Sequence, residues 1–203
     1  MFTGIVEEVG RLAEVKPMAG GYRVRIETVL AADTRPGDSI AVSGVCLTAL
    51  VVANGEIHAD IGPETARVTT LGALERGRRV NLERPVRFDG RIGGHFVLGH
   101  VDGVGAVDDI RAEGESHWLT VRYPPSLAPL FIRKGSVAVD GASLTVAGLD
   151  DRRIDLMIVP YTWNHTTFNG LKSGDKVNLE CDVLGKYVVR AAEIAGLTDL
   201  RRP

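Results

Sequence analysis

His95 and His100 stand within GGHFVLGHVDG (93–103), near the middle of a 203-residue chain. Imidazoles titrate near neutral pH, so two of them close together suit proton transfer or metal ligation. Metal ligation would need a third ligand at matching spacing. Neither HExxH nor a paired CxxC occurs, and no metal is expected. Two further stretches carry small polar groups, SGVCLT (43–48) and DGASLTV (140–146). Strand alternation would put Cys46 and Thr48 on one face, and likewise Ser143 and Thr145. Thiol and hydroxyl groups there can bond the edge of a ring, or they can simply pack, since Cys is often a buried hydrophobe. No Ser/His/Asp order singles itself out for hydrolysis. GVGAVD (103–108) begins like a dinucleotide fingerprint, but Asp108 stands where the third glycine should be, in β-rich surroundings.

The elements that must position these groups occur twice. SIAVSGVCLT (39–48) aligns with SVAVDGASLT (136–145). At the same offset GRRVNLE (77–83) meets GDKVNLE (174–180), and Pro63, Thr65, Thr69 and Thr70 meet Pro160, Thr162, Thr166 and Thr167. With a two-residue adjustment, Gly4, Val6, Val9 and Gly10 meet Gly99, Val101, Val104 and Gly105. One order along the whole half-chain indicates a duplicated domain. The second copy begins at GHVDGVG (99–105), His95 lies in the connector, and His100 replaces Ile5.

Each half reads as β. Segments 22–29, 39–42, 46–52, 56–61 and 79–82 are short and rich in β-branched residues, with Gly, Pro, Asn and Asp between them. The second half repeats them at 118–123, 136–139, 143–149, 153–159 and 176–180. Asn54-Gly55 signals a hairpin. Such spacing suggests one small barrel per half. Short helices are expected near 68–76 and 125–131. In DVLGKYVVRAAEIAG (182–196), Leu184, Tyr187, Val188, Ala191 and Ala195 recur at helical spacing, with Gly196 as C-cap. That helix would pack on its own domain or form an oligomer contact.

Apolar residues make up 44% and charged residues 25%, with a net charge of −2. No basic face invites nucleic acid, and no apolar run could span a bilayer. Two distant cysteines, Cys46 and Cys181, read as free thiols in a reducing compartment. MFTGIVEEVGR lacks the basic start of a signal peptide. The expectation is a soluble cytoplasmic protein.

MFTGIVEEVG, SGVCLT, IGGHFVLGHVDG (92–103) and DGASLTV together resemble the riboflavin synthase family, alpha-chain type, whose lumazine-binding domain is repeated. The resemblance implies an all-β fold of two duplicated six-stranded Greek-key β-barrels plus a C-terminal α-helix. It places the first barrel at 1–94, the second at 95–183, and the helix and tail at 184–203. It implies a homotrimer, and it admits association with lumazine synthase. The implied reaction joins two molecules of 6,7-dimethyl-8-ribityllumazine by four-carbon transfer. Riboflavin and 5-amino-6-ribitylaminouracil result, with no cofactor and no metal. Two similar pockets suit a reaction between two copies of one substrate, because pairing them makes the encounter nearly unimolecular. A lumazine-binding antenna protein without turnover shares the resemblance. The joint presence of Ser39, Cys46, His95, His100, Ser143, Thr145 and Asp182 favours the enzyme.

The resemblance also distributes roles. His95 and His100 match the family's functional histidines, and Ser39, Cys46, Lys134 and Asp182 fall at positions used near the ring or in catalysis. Ser39 or Cys46 would deliver a nucleophile or hold a water. Read without the family, Lys134 is a turn lysine and Asp182 a helix N-cap. Phe2, at a mobile N-terminus, would help close the pocket. Gly4-Ile5-Val6 and Gly99-His100-Val101 would be ligand-contacting strand starts, where glycine permits close approach. Cys46-Leu47-Thr48 and Ser143-Leu144-Thr145 would contact the lumazine. Asp60-Ile61-Gly62-Pro63-Glu64-Thr65 and Ile158-Val159-Pro160-Tyr161-Thr162-Trp163 would line the ring and ribityl chain. Tyr161 departs from the acid expected opposite Glu64. His58, His117 and His165 read as surface or packing residues.

Overall fold

The structure is a computed structural model that describes residues 1–197. The first barrel contains β1 (Glu8–Met18), β2 (Gly21–Glu27), β3 (Ser39–Val42), β4 (Val45–Ala53), β5 (Glu56–Ile61) and β6 (Arg79–Glu83). The second contains β7 (Gly103–Glu113), β8 (Ser116–Arg122), β9 (Ser136–Val139), β10 (Ala142–Leu149), β11 (Arg153–Ile158) and β12 (Lys176–Cys181). Both close along one path. β1-β2-β5-β4-β3-β6 forms the first ring, and β7-β8-β11-β10-β9-β12 the second. All pairings are antiparallel, with the order of a Greek key.

Inward residues alternate along each strand and fill two separate cores. Ile26, Ile40, Leu47, Ile57 and Leu82 are buried in the first, and Leu119, Val137, Ile154, Leu156 and Leu179 in the second. Each such side chain contributes about 1.5–3 kcal/mol through its burial. Register breaks at Leu12/Glu14 and Ala49/Val51 recur at Val107/Asp109 and Val146/Gly148. A bulge adds local twist and bend, which helps a small sheet close on itself.

The long strands β1 and β7 were not legible as strands. In their outer halves only Val15 and Ile110 pack on a core, and the residues beyond are exposed, so the alternation there is short. The helix expected near 68–76 lies earlier, as α1 (Pro63–Val68), followed by a 3₁₀ turn at Thr70–Ala73. Pro63 at the first helical turn fixes that start. α2 (Pro160–His165) is its second-half counterpart. A 3₁₀ helix occupies Pro125–Leu130. α3 (Val183–Ile194) is the tail helix, N-capped by Asp182. It closes with Gly196 N–H on Glu193 O and Leu197 N–H on Ala192 O, a Schellman arrangement. The remaining tail, 198–203, lies outside the described residues.

The barrels meet about a pseudo-two-fold axis. Asn81 Nδ2 donates to Asp140 O, and Asn178 Nδ2 donates to Ser43 O. Asn81 Oδ1 accepts from Thr167 N, and Asn178 Oδ1 from Thr70 N. Each buried amide thus satisfies groups of the opposite barrel. Phe2 and Val97 pair as a short antiparallel bridge and pack with Ala41 and Ala138.

Candidate functional site

The stretches that precede β1 and β7 cross over between the barrels. Gly4 O accepts from Ser143 N at 2.8 Å, and Gly99 O accepts from Cys46 N at 2.9 Å. Val6 packs against the second core and Val101 against the first. Both glycines have φ +78, and a Cβ on either would lie 2.5–2.6 Å from the Cβ of Ser143 or Cys46. Only glycine permits that backbone and that approach. Each candidate pocket therefore combines one barrel's CLT or SLT strand with the other half's strand start.

Two buried carboxylates hold these crossing segments. Glu83 takes Thr3 N and Thr3 Oγ1 on Oε1 at 2.6 and 3.0 Å, and Gly4 N on Oε2 at 3.0 Å. Glu180 takes Leu98 N on Oε1 at 2.7 Å and Gly99 N on Oε2 at 2.9 Å. Burial pushes both carboxyls above their ordinary range, and the amide donors pull them back only in part.

The candidate site at Ser143 is the more elaborate. His95 Nδ1 lies 2.7 Å from Ser143 Oγ, while His95 N–H donates to Thr3 O. The imidazole is buried, and its Nε2 has no hydrogen-bond partner among the described residues. Burial lowers its pKa, against the smaller opposing field of Asp182. A neutral imidazole at physiological pH follows, one nitrogen engaged by a hydroxyl and the other free to move a proton. Asp182 serves both as N-cap, accepting from Leu184 N at 3.0 Å, and as the acid beside His95. Lys134 is exposed in a turn with φ +67, its N–H on Val146 O.

At Cys46 the chemistry is sparer. Cys46 is half-buried with a free thiol, and Thr48 is exposed on the same face. Ser39 pairs directly with Thr48 across β3 and β4. His100 is exposed on the crossing strand start. A cleft of about 790 Å³ takes in Thr3, Ile5 and Ser39 with Arg84, but reaches neither Cys46 nor His100.

The flanking segments are mostly exposed or half-buried, with exceptions. Gly62, Pro63, Glu64, Val159 and Tyr161 are exposed, and Thr65, Pro160, Thr162 and Trp163 are half-buried. Leu144 is half-buried against the second core. Leu47, Ile61 and Ile158 point into the cores, which leaves only their backbone for a ligand. Asp60 is paired with Arg23 at 2.7 Å, and Glu64 with Arg67 at 2.6 Å. Phe2 corrects its expectation. It is 1% exposed and hydrogen-bonded on both sides to Val97, so it is a fixed wedge between barrels, not a mobile closure.

Sequence reasoning misses two participants, Glu83 and Glu180. Glu83 and Glu180 end the repeated VNLE stretches, which were aligned but read only as strand. Acids at the inner end of two matching strands were the available signal. His117 packs as expected, stacked on Trp163 with centroids 3.8 Å apart. His165 stacks on Tyr161 at 4.0 Å. On α3, Leu184, Tyr187, Val188 and Ile194 are exposed. No helix among the described residues is long and apolar enough to cross a membrane, and they contain no group of three or more His, Cys, Asp or Glu that could hold a metal.

The family model of the lumazine binding domain matches twice, at residues 3–85 and 98–182. The chain is similar to the riboflavin synthase of Bacillus subtilis (strain 168), 40% identical over 191 residues, covering 94% of this chain and 89% of that protein. It is 43% identical over 203 residues to the riboflavin synthase of Mycobacterium tuberculosis (strain H37Rv), covering 97% and 100%. A crystal structure of LumP complexed with 6,7-dimethyl-8-(1'-D-ribityl) lumazine superposes with a TM-score of 0.82 at 24% identity, covering 89% of this chain and 99% of that one, a likeness of fold. With the repeat matched twice and relatives of this identity along nearly its full length, the chain belongs to the riboflavin synthase family of repeated lumazine-binding barrels.

Proposed function

We propose that this chain is a riboflavin synthase. It would convert two molecules of 6,7-dimethyl-8-ribityllumazine, by four-carbon transfer, into riboflavin and 5-amino-6-ribitylaminouracil. The observation that carries the reading is one frame built twice, with a buried imidazole at hydrogen-bond distance from the facing strand in only one copy. A reaction between two copies of one molecule needs two sites of one shape, and a donor and an acceptor role need two chemistries. His95 is the proton carrier, acting through the nitrogen left free by Ser143. Asp182 would stabilise the imidazolium that forms. Ser39 and Cys46 are the candidates to deliver or position a nucleophile, and His100 a second proton carrier. Lys134 and the segments around Pro63 and Pro160 would hold ring and ribityl groups.

The reading extends to a cytoplasmic homotrimer in which the first pocket of one chain faces the second pocket of its neighbour. The domains would divide at 94/95 and 183/184. The exposed apolar side chains of α3 suit assembly. Lumazine synthase, which would supply the substrate, is a candidate partner. The reading requires neither metal nor redox cofactor.

The test mixes purified protein with 6,7-dimethyl-8-ribityllumazine alone and follows riboflavin absorbance. One riboflavin should form for two lumazines consumed. Tight binding without turnover would replace this reading with an antenna protein.

A further inference from the structure

We propose that Glu83 and Glu180 are positioning residues that act across the barrel boundary, each holding the wall of the other barrel's pocket. This rests on the reading of the two pockets as lumazine sites. Glu83 belongs to β6 of the first barrel, yet the Thr3–Gly4 segment it grips lies against Ser143 of the second. Glu180 belongs to β12 of the second barrel, yet the Leu98–Gly99 segment it grips lies against Cys46 of the first. Both carboxylates use their two oxygens on two successive backbone amides. Both are buried, Glu83 at 6% and Glu180 at 2% exposure. The crossing segments are irregular backbone, held to the facing strand by a single bond each, Ser143 N to Gly4 O and Cys46 N to Gly99 O, and the two charge-assisted hydrogen bonds of each carboxylate complete their register. A glutamine has the same length but presents one NH₂ group. One amide N–H would then face a donor, and the segment would shift.

The reciprocity gives a readout that a merely structural role does not produce. Cys46 reports on the first pocket, since its thiol is half-buried while Cys181 is buried and its pKa is pushed up to about 12. Full-length wild type, E83Q and E180Q would be titrated with riboflavin. Bound flavin is followed by fluorescence, and protection of Cys46 from iodoacetamide is followed in parallel.

The expected result is crossed. E180Q should need about tenfold more riboflavin to protect Cys46, the scale of one buried donor left unpaired, with the second site unchanged. E83Q should keep Cys46 protection and lose about tenfold at the other site. The uncrossed pattern, with each variant weakening its own barrel's pocket, overturns the proposal. So does an equal loss at both sites, or none. E83D and E180D, which keep the charge but shorten the reach, should give the same crossed pattern if a glutamine variant fails to fold. Wild type that makes riboflavin while all variants bind like it sinks this inference alone. Wild type that binds no riboflavin sinks the lumazine reading as well.

Discussion

The two barrels share their scaffold and differ in their reactive groups. Asn81 and Asn178, Glu83 and Glu180, and Gly4 and Gly99 make the same contacts in both copies. The pockets diverge. Ser143 has a buried imidazole at hydrogen-bond distance and Asp182 nearby, whereas Cys46 has no imidazole partner and Pro85 occupies the position matching Asp182. The outer walls diverge too. Tyr161 stacked on His165 stands at the positions of Glu64 and Val68, where Glu64 instead pairs with Arg67, and Trp163 stacked on His117 takes the place of Ala66 and Tyr22. Groups that hold the frame are duplicated, and groups on the candidate site walls are free to specialise.

The sharpest way to break this comparison is to exchange its chemistry. His95→Gln should lower kcat by about 100-fold or more, the range of a lost general acid–base group, with little change in KM. Cys46→Ser should cost less than His95→Gln. A larger loss at Cys46 would move the chemistry to the first pocket. Next in size are the shared glycines. Gly4→Ala and Gly99→Ala each combine a left-handed backbone with a clash near 2.5 Å, and should each destabilise by about 2–4 kcal/mol in denaturant melts. Unequal losses would show that the two crossings are not equivalent.

A smaller effect tests a difference at the hairpin tips, where Asp140 stands opposite Ser43. Burial raises Asp140 from 3.8 to about 7. Its folded form binds a proton more tightly than its unfolded form, so stability falls as pH rises from about 4 to about 7 and levels off above. Glu83 and Glu180, also raised, act in the same direction. His95, lowered, acts oppositely, adding stability as pH rises toward 6.5. Asp140→Ser should flatten the fall between pH 5 and pH 7 in urea midpoints. An unchanged slope would assign the pH dependence to the glutamates. The smallest effect concerns the clamps on the crossing segments, Lys186–Asp102 at 2.7 Å and Arg84–Glu7 at 2.6 Å. Lys186→Met should cost under about 1 kcal/mol, as partly exposed ion pairs do. A larger loss in thermal melts would mean that α3 is docked chiefly through this pair.

Much of this was legible in the sequence because the repeat carried it. Alternation in 39–48 and 136–145 puts Cys46 with Thr48, and Ser143 with Thr145, on one strand face, and that face is half-buried or exposed. Asp182 and Gly196 bounded the tail helix by capping chemistry alone. What escaped was pairwise and long-range. Nothing local ties Glu83 to Thr3 and Gly4, or brings His95 onto Ser143, because those partners meet only after both barrels close. Phe2 shows the same limit. A residue next to a terminus looks free until its partner, Val97, is known. The outer halves of β1 and β7 escape because only Val15 and Ile110 there pack on a core, too few residues for an alternation to be read.

The reciprocal asparagines say something about ancestry. An interface in which Asn81 bonds the hairpin tip of the other barrel while Asn178 bonds the tip of the first has the form of an isologous dimer contact, in which one patch recognises its own copy. Such a contact needs two identical chains and no linker. It points to an ancestor of a single barrel that already associated in pairs, with gene fusion later fixing the pair in one polypeptide. Fusion would then have relaxed the symmetry that identical chains enforce. A histidine could arise in the new connector and serve one pocket without appearing in the other.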